Sequence, residues 1–259
     1  MTQSSGSTVL QAHEWIAGLE KGLAVIEAFN ADHPRMTATE VGRRCDMTRT
    51  AARRYLKTLT HLGYTATDGK LYWLMPRTLR IGHAFIESAR LPKLVQPLLQ
   101  RITNGTDEVA YLGVVDGDDT IFLARSGSSR HTSAGYWPGT RVPAQITAAG
   151  MAILASWPEH ELEAWLEGRE LPAFTSHTLA NTKRLRTVLK ECRRQGWALS
   201  EQQLELNYRG IAVPLLDRHN VAHGAISITM PINREETDHA LLWVLPVMQE
   251  VAKSLRSLL

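Results

Sequence analysis

Cysteine is scarce in this chain. Cys45 and Cys192 are the only two, and they offer neither a disulfide framework nor the paired spacing of a zinc site, so both read as reduced structural thiols. Long apolar runs are missing too: no stretch approaches the roughly 18 residues a membrane helix needs. The opening MTQSSGST lacks the charged start and apolar core of a secretory leader. A cytoplasmic protein without a membrane partner is the expectation. There is no GxSxG elbow, no P-loop, no GxGxxG and no Cys set recognisably against a His, which weakens the case for an enzyme. No catalytic residue, metal or cofactor is expected.

What the chain does have is concentrated between Met36 and Tyr64. Thr37 followed by Glu40 forms a capping box, in which hydroxyl and carboxylate each satisfy an orphan amide at a helix start. A helix over 38–45 follows. Thr48 then offers a second N-cap, and a second helix runs to Leu62, stopped by Gly63. Ala52, Tyr55, Leu56, Leu59 and Leu62 fall on one stripe at helical spacing, while Thr50, Arg53, Arg54 and Lys57 fall outside it. A basic face beside a packing stripe suits entry into a DNA major groove, which admits one helix. The competing reading is an ordinary solvated charged face. RNA modules lean instead on exposed aromatics among basic residues, and this helix has only Tyr55, on its apolar stripe.

The flanks extend the motif. Residues 64–67 and 70–74 read as a hairpin about Asp68-Gly69, a wing. Upstream, Leu19, Leu23, Val25, Ile26 and Phe29 give an amphipathic helix that closes a three-helix core. Charge agrees: residues 21–90 hold twelve Lys or Arg against six Asp or Glu, an excess of six in a chain whose net charge is +3, which leaves −3 for the rest. Such segregation attracts a polyanion.

Further along, Pro76 starts a linker helix over 76–90, ended by Leu91-Pro92. A helix over 94–102 precedes strands at 108–115 and 120–125 joined by Asp116-Gly117-Asp118-Asp119. Strands at 211–216 and 224–230, with helices at 148–156, 158–166, 182–195 and 238–258, argue for an antiparallel sheet with flanking helices, an α+β sensor-like domain. The expected divisions are a flexible tail 1–13, a winged helix-turn-helix 14–75, a linker helix 76–91 and an effector-binding domain 92–259.

Other features admit plainer explanations. Asp116, Asp118 and Asp119 suggest a metal loop, but lack the distal Glu such loops need, and a hairpin turn is preferred. His219 and His223 lie in a turn-to-strand region and read as surface residues. Arg141 could hold a carboxylate bidentately or tie down its own loop, the preferred role. Tyr136 and Trp137 could stack on an aromatic ligand, but core filling is favoured.

Taken in order, several segments resemble the IclR family of bacterial transcriptional regulators. They are Glu20-Lys21-Gly22-Leu23-Ala24-Val25-Ile26, Thr48-Arg49-Thr50-Ala51-Ala52-Arg53-Arg54, Leu62-Gly63-Tyr64, Pro76-Arg77, Gly139-Thr140-Arg141-Val142-Pro143 and Tyr208-Arg209-Gly210-Ile211-Ala212-Val213-Pro214. Arg53-Arg54-Tyr55-Leu56 and Ser176-His177-Thr178 resemble most the branch controlling protocatechuate, hydroxybenzoate and β-ketoadipate catabolism. The resemblance implies a GAF-like effector domain that binds an aromatic or dicarboxylic acid, and a homodimer, or dimer of dimers, on a palindromic operator in double-stranded DNA. It places the pocket between Gln145, Ile146, Thr147, Ala148, Ala149 and Gly150 and the strands around Gly210 and Ser227, with Glu201 or Gln202 at the position the family often makes acidic. Free amides at a helix start, beside the Thr147 hydroxyl, make anion binding there physically reasonable. Two positions depart from the family pattern: Met151 replaces a usual Lys or Arg, and Gln145 a usual His or aromatic residue, which leaves the effector's identity open.

Within the motif, Thr48, Thr50, Arg53, Arg54 and Lys57 are expected at the groove, with Arg54 reading a base. Arg43, Arg44, Arg49 and Lys70 are expected on phosphates. An enzyme of unidentified type using the second-domain pocket, or a non-sensing nucleic-acid-binding protein, are the alternatives.

Overall fold

The structure is a computed structural model and describes residues 13–127, 135–234 and 236–259. The expected tail 1–13 lies outside the described residues except for His13. The chain divides into two compact units, one ending at Ser88 and the other running Ala89–Leu259.

In the first unit, helix α1 (Ala17–Glu27), strand β1 (Met36–Thr37), helices α2 (Ala38–Arg44) and α3 (Arg49–His61), strands β2 (Thr65–Thr67) and β3 (Leu71–Leu74) and helix α4 (Leu79–Ser88) follow one another. Both caps form. The Glu40 amide donates to Thr37 Oγ1 at 3.3 Å while the Thr37 amide donates to the Glu40 carboxylate at 2.7 Å; that amide bond, with the one from the Thr37 hydroxyl, holds the Glu40 carboxyl below its usual range. The Ala51 amide donates to Thr48 Oγ1. Between α2 and α3 the chain turns so tightly that a Cβ on Gly42 would stand 2.7 Å from the Met47 carbonyl.

Val25, Met36, Val41, Ala52, Leu56, Leu59 and Tyr72 form the buried core of this unit. Three expectations need correction. Leu62 caps α3 and is 47% exposed, because the helix ends one residue earlier. Leu19 and Leu23 are exposed, so α1 packs through Val25, while Phe29 packs from beyond the helix end. The wing turn centres on Gly69-Lys70, since the Asp68 amide pairs with the Leu71 carbonyl; Gly69 has φ +100° and Asp68 accepts the Lys70 and Leu71 amides. Strand β1, too short to show a pattern, completes a three-stranded sheet of order β1-β3-β2.

The second unit begins with helix α5 (Arg90–Thr106), which absorbs the expected Leu91-Pro92 stop. Proline lacks only an N–H that a first helical turn does not use. Strands β4 (Val109–Asp116), β5 (Asp119–Ser126) and β6 (Arg141–Pro143), helices α6 (Ala148–Leu154), α7 (Glu159–Leu166) and α8 (Thr182–Gln195), strands β7 (Ala198–Glu201), β8 (Tyr208–Leu216) and β9 (Ala222–Pro231) and helix α9 (Thr237–Leu255) complete it. The six strands form one antiparallel sheet in the order β6-β5-β4-β9-β8-β7. β6 and β7 were not expected from the sequence; each is a short edge strand. The fold is α+β, as expected.

Alternation divides the sheet into two faces. Ile211, Val213, Leu215, Ile226 and Ile228 pack on Leu99, Ile102, Val244 and Met248 of α5 and α9. Ala212 and Ala225 meet α6 and, beyond it, Trp165, Leu185 and Leu189. Among the described residues no helix is long and apolar enough to cross a membrane.

Candidate DNA interface and effector cavity

Helix α3 presents Arg49, Thr50, Arg53, Arg54 and Lys57 exposed, while Ala52, Leu56 and Leu59 hold it to its core. Thr48 is exposed at the same end, its oxygen capping the helix. Arg43 is exposed at the end of α2, and Lys70 stands at the tip of the wing. Arg44, expected on a phosphate, is exposed and donates from Nε to the Ala28 carbonyl at 3.1 Å, which ties α2 to the end of α1. Two contributors escaped sequence reading. Arg35 lies 4.4 Å from the centre of the Trp73 ring, adding a cation beside the wing. Arg77 donates to the Leu62 carbonyl at 2.7 Å and sits over Tyr64, so it closes the open end of α3.

The second unit holds a cavity of about 180 Å³ on the α6 face of the sheet. A tight 3-10 turn, Ala144–Ile146, delivers the chain to the start of α6, and the Ser200 hydroxyl donates to the Ile146 carbonyl to fix it. Ile146, Thr147, Ala148 and Ala149 form one wall, Gly210, Ser227 and Thr229 of β8 and β9 the floor, and Gln202, Gln203 and Leu204 the outer side. Phe122 and Tyr136 close the remaining side as a parallel stack 4.3 Å apart, with Tyr111 edge-on to Phe122 at 5.4 Å. Burial pushes the Tyr136 phenol up to about 12, helped by neighbouring Tyr111 and Glu205, so it stays a neutral donor.

The expected pocket residues divide. Ile146, Thr147, Ala148, Ala149, Gln202, Gly210 and Ser227 line the cavity; Gln145, Gly150 and Glu201 do not. Gln145 is buried in the 3-10 turn. A Cβ on Gly150 would meet the Ala144 carbonyl at 2.2 Å and Thr120 Oγ1 at 2.5 Å, so this glycine serves close packing. Glu201 pairs in register with Arg209 and shares its face of the sheet. There its carboxylate accepts the Thr237 hydroxyl at 2.7 Å and lies 3.1 Å from Arg209 Nε, turned toward α9.

The Thr147 hydroxyl is also committed. It accepts the Gly150 amide at 3.0 Å as the cap of α6 and lies 2.8 Å from Thr120 Oγ1 and 3.4 Å from the Ala144 carbonyl. The amides of Ala148 and Ala149 are the first of the helix and have no carbonyl four residues back within it. Gly210 lets α6 approach, since its Cβ would stand 3.3 Å from that of Ala148. Met151 is wholly buried in the core, where a cation could not sit unpaired.

The remaining candidates resolve locally. Arg141 holds Asp119 at 3.0 Å and Asp116 at 3.6 Å, and Arg169 holds Asp118, so the acidic loop is a pinned hairpin; among the described residues no cluster could hold a metal ion. Tyr136 packs, partly buried, on the core cluster of Tyr111 and Phe122, as expected, and also lines the cavity; Trp137 does not fill core but is 60% exposed beneath the Arg125 guanidinium at 4.3 Å. His219 is exposed, whereas His223 is partly buried against Asp217 at 3.1 Å. Phe122, Ser200, Gln203 and Thr229 were missed; they come from separate strands and loops, and no local spacing connects them.

A basic helix-turn-helix with a wing, followed by a separate domain with a small lined cavity, defines a ligand-sensing transcriptional regulator. Residues 18–69 match the IclR helix-turn-helix domain and residues 83–257 the C-terminal domain of bacterial IclR regulators. The chain belongs to the IclR family. It is 33% identical over 260 residues to the Pca operon regulatory protein of Acinetobacter baylyi, covering 99% of this chain and 94% of that protein. It is 34% identical over 257 residues to the p-hydroxybenzoate hydroxylase transcriptional activator of the same species, covering 97% and 95%. Among solved structures, a transcriptional regulator from Rhodococcus sp. RHA1 superposes with a TM-score of 0.79 at 32% identity, covering 93% of this chain and 97% of the other. The inducer-binding domain of a PobR double mutant from Acinetobacter, complexed with 3-hydroxybenzoic acid, superposes with a TM-score of 0.62 at 26% identity, covering 66% of this chain and all (100%) of that one.

Proposed function

We propose that this protein regulates an operon for aromatic acid breakdown, binding DNA through α3 and the wing and sensing a hydroxylated benzoate in the cavity. The observation that carries the reading is the cavity itself. Its volume of about 180 Å³ is close to the roughly 150 Å³ that accommodates benzene in an engineered apolar cavity. The ring would lie along the Phe122–Tyr136 stack, its carboxylate against the Ala148 and Ala149 amides. Its hydroxyl would face Ser227, Thr229 or the neutral Tyr136 phenol. Relatives that govern the pca operon and p-hydroxybenzoate hydroxylase support the ligand class, as does the 3-hydroxybenzoic acid held by the PobR domain. These relatives are regulators, and the protein acts without catalysis in the cytoplasm, where its operator lies.

In the first unit α3 enters the major groove. Arg54 reads a base edge, while Arg43, Arg49 and Lys70 meet phosphates. The protein works as a homodimer on a palindromic site. Trp15, Ile16, Leu19 and Leu23 on and before α1, and Leu79, Ile81, Phe85 and Ile86 on α4, are large apolar side chains 41% to 76% exposed, a surface that a second copy would cover.

The test is fluorescence anisotropy on the DNA upstream of the protein's own gene, at several salt concentrations, with and without 4-hydroxybenzoate, protocatechuate and β-ketoadipate. Tight, salt-sensitive binding that a hydroxybenzoate shifts is the expected result. A response to β-ketoadipate alone would replace the aromatic ligand with a dicarboxylic one. No preference over scrambled DNA would remove the regulator's site from that region.

A further inference from the structure

The outer wall of the cavity is held from behind by two side chains that touch no part of the cavity. Gln202, Gln203, Leu204 and Glu205 leave the edge strand β7 and line the cavity before β8 begins. Gln202 adopts φ +54°, and its amide donates to the Tyr208 carbonyl at 2.8 Å. The wall's next two carbonyls point outward, to the turn that contains Ser176-His177-Thr178. Thr175 Oγ1 donates to the Gln202 carbonyl and Thr178 Oγ1 to the Gln203 carbonyl, each at 2.6 Å. The Leu179 amide adds a bond to Gln203 Oε1 at 3.1 Å.

Both hydroxyls are themselves anchored. Thr178 Oγ1 accepts the amides of Phe174 (3.0 Å) and Thr175 (2.9 Å), and Thr175 Oγ1 accepts the His177 amide at 3.1 Å. A hydroxyl has one proton and two lone pairs. Thr178 therefore spends its full capacity on fixing its own turn and gripping the wall. Gln203 is 6% exposed, so a carbonyl released there would not regain its partner from bulk water at no cost.

We propose that Thr175 and Thr178 are positioning residues for the effector, forming a latch that sets the distance between the Gln202–Gln203 wall and the Ala148–Ala149 wall. The proposal rests on the reading that the cavity binds a hydroxybenzoate. Without the latch the wall moves outward, and the cavity no longer fits one ring closely. Affinity for the acid then falls while the DNA-binding unit, whose residues take no part in the latch, is unaltered.

The experiment compares Thr178→Val, which keeps the shape and removes the hydroxyl, with Thr178→Ser, which keeps the hydroxyl. Thr175→Val repeats it at the neighbouring carbonyl and serves if Thr178→Val fails to fold. Full-length protein is titrated calorimetrically with 4-hydroxybenzoate and protocatechuate, and amide hydrogen exchange over 202–208 is followed without any acid. In the valine variants exchange over 202–208 is expected to accelerate beyond any general change in the sheet, and the Kd for the acid bound by wild type to rise about tenfold, the order expected for one buried hydrogen bond lost. Thr178→Ser should restore both. Wild-type exchange over 202–208 in the valine variants, or an unchanged Kd, would overturn the latch. If wild type binds neither acid, the hydroxybenzoate reading fails, and the exchange measurement still decides whether the threonines hold the wall.

Discussion

Arg54 and Lys70 are both exposed cations on the first unit, yet a guanidinium on the face of a recognition helix and an ammonium at a wing tip have different consequences for DNA. Arg54→Ala should cost roughly 1–3 kcal/mol at one operator position and relax preference there. Lys70→Ala should weaken all sequences alike and lower the salt slope by about one contact. Anisotropy on a set of single-base operator variants at several salt concentrations separates the two; uniform weakening by Arg54→Ala would remove it from base readout. Thr147 carries the opposite lesson, because its hydroxyl lines the cavity but caps α6. Thr147→Val is expected to lower unfolding free energy by about 1 kcal/mol in a denaturant titration, the typical value of such a cap. Asp217 gives a prediction in pH. Amide bonds from Val221 and then His219, with the bond to His223 between them in weight, bring its carboxyl down to about 2. A depressed folded value contributes stability fully above the unfolded aspartate value of about 4, and loses it as pH falls toward 2. The stability gap between wild type and Asp217→Asn should therefore be open at neutral pH and close over that window; a gap constant down to pH 2 would show that Asp217 is not charged in its loop.

At the scale of elements, what could be read from sequence depended on whether the determinant was local. The starts of α2, α3 and α6 carry their own caps in Thr37, Thr48 and Thr147, and the long strands β4, β5, β8 and β9 carry their own apolar patterns. Strands β1, β6 and β7 span four residues or fewer and exist because a neighbour pairs with them. Missing β7 had a direct cost for the site. Glu201 and Gln202 differ by one residue, but β7's register turns Glu201 to the α9 side and leaves Gln202 in the cavity wall. The stack of Phe122 on Tyr136 was equally hidden, since a strand and a loop meet only after the sheet has formed. Gly150 supplies the test at this scale. With the Ala144 carbonyl only 2.2 Å from a new methyl carbon, Gly150→Ala must shift α6 away from the 3-10 turn. Ligand affinity should drop with it and the effector domain's melting temperature should fall, whereas Gly117→Ala, where nothing lies within 4 Å, should show only the smaller effect of a left-handed backbone. An unchanged melting temperature for Gly150→Ala would mean that the helix start is far looser than its contacts imply.

For the whole molecule, segregation of charge governs behaviour more than the net value does. The positive excess sits in the first unit and the second balances to zero, so ionic strength should weaken DNA binding while leaving acid binding nearly untouched. The proposed homodimer would add a concentration dependence. Phe85 is half exposed on α4, none of whose residues is buried. Phe85→Glu is expected to shift the sedimentation profile from dimer toward monomer and to weaken operator binding, and a profile identical to wild type would exclude α4 from the dimer contact.

The seam between β4 and β9 pairs Val109 with Thr229 and Gly113 with Ala225. The two arms of the sheet are therefore joined only by its last strand in the chain. A ribosome that has released Ser88 has already delivered a complete DNA-binding unit, whereas the floor of the cavity does not exist until β9 has emerged. At ordinary elongation rates that gap lasts on the order of ten seconds. For that interval each new molecule carries a finished head for DNA and an unfinished sensor, deaf to its ligand until the seam closes.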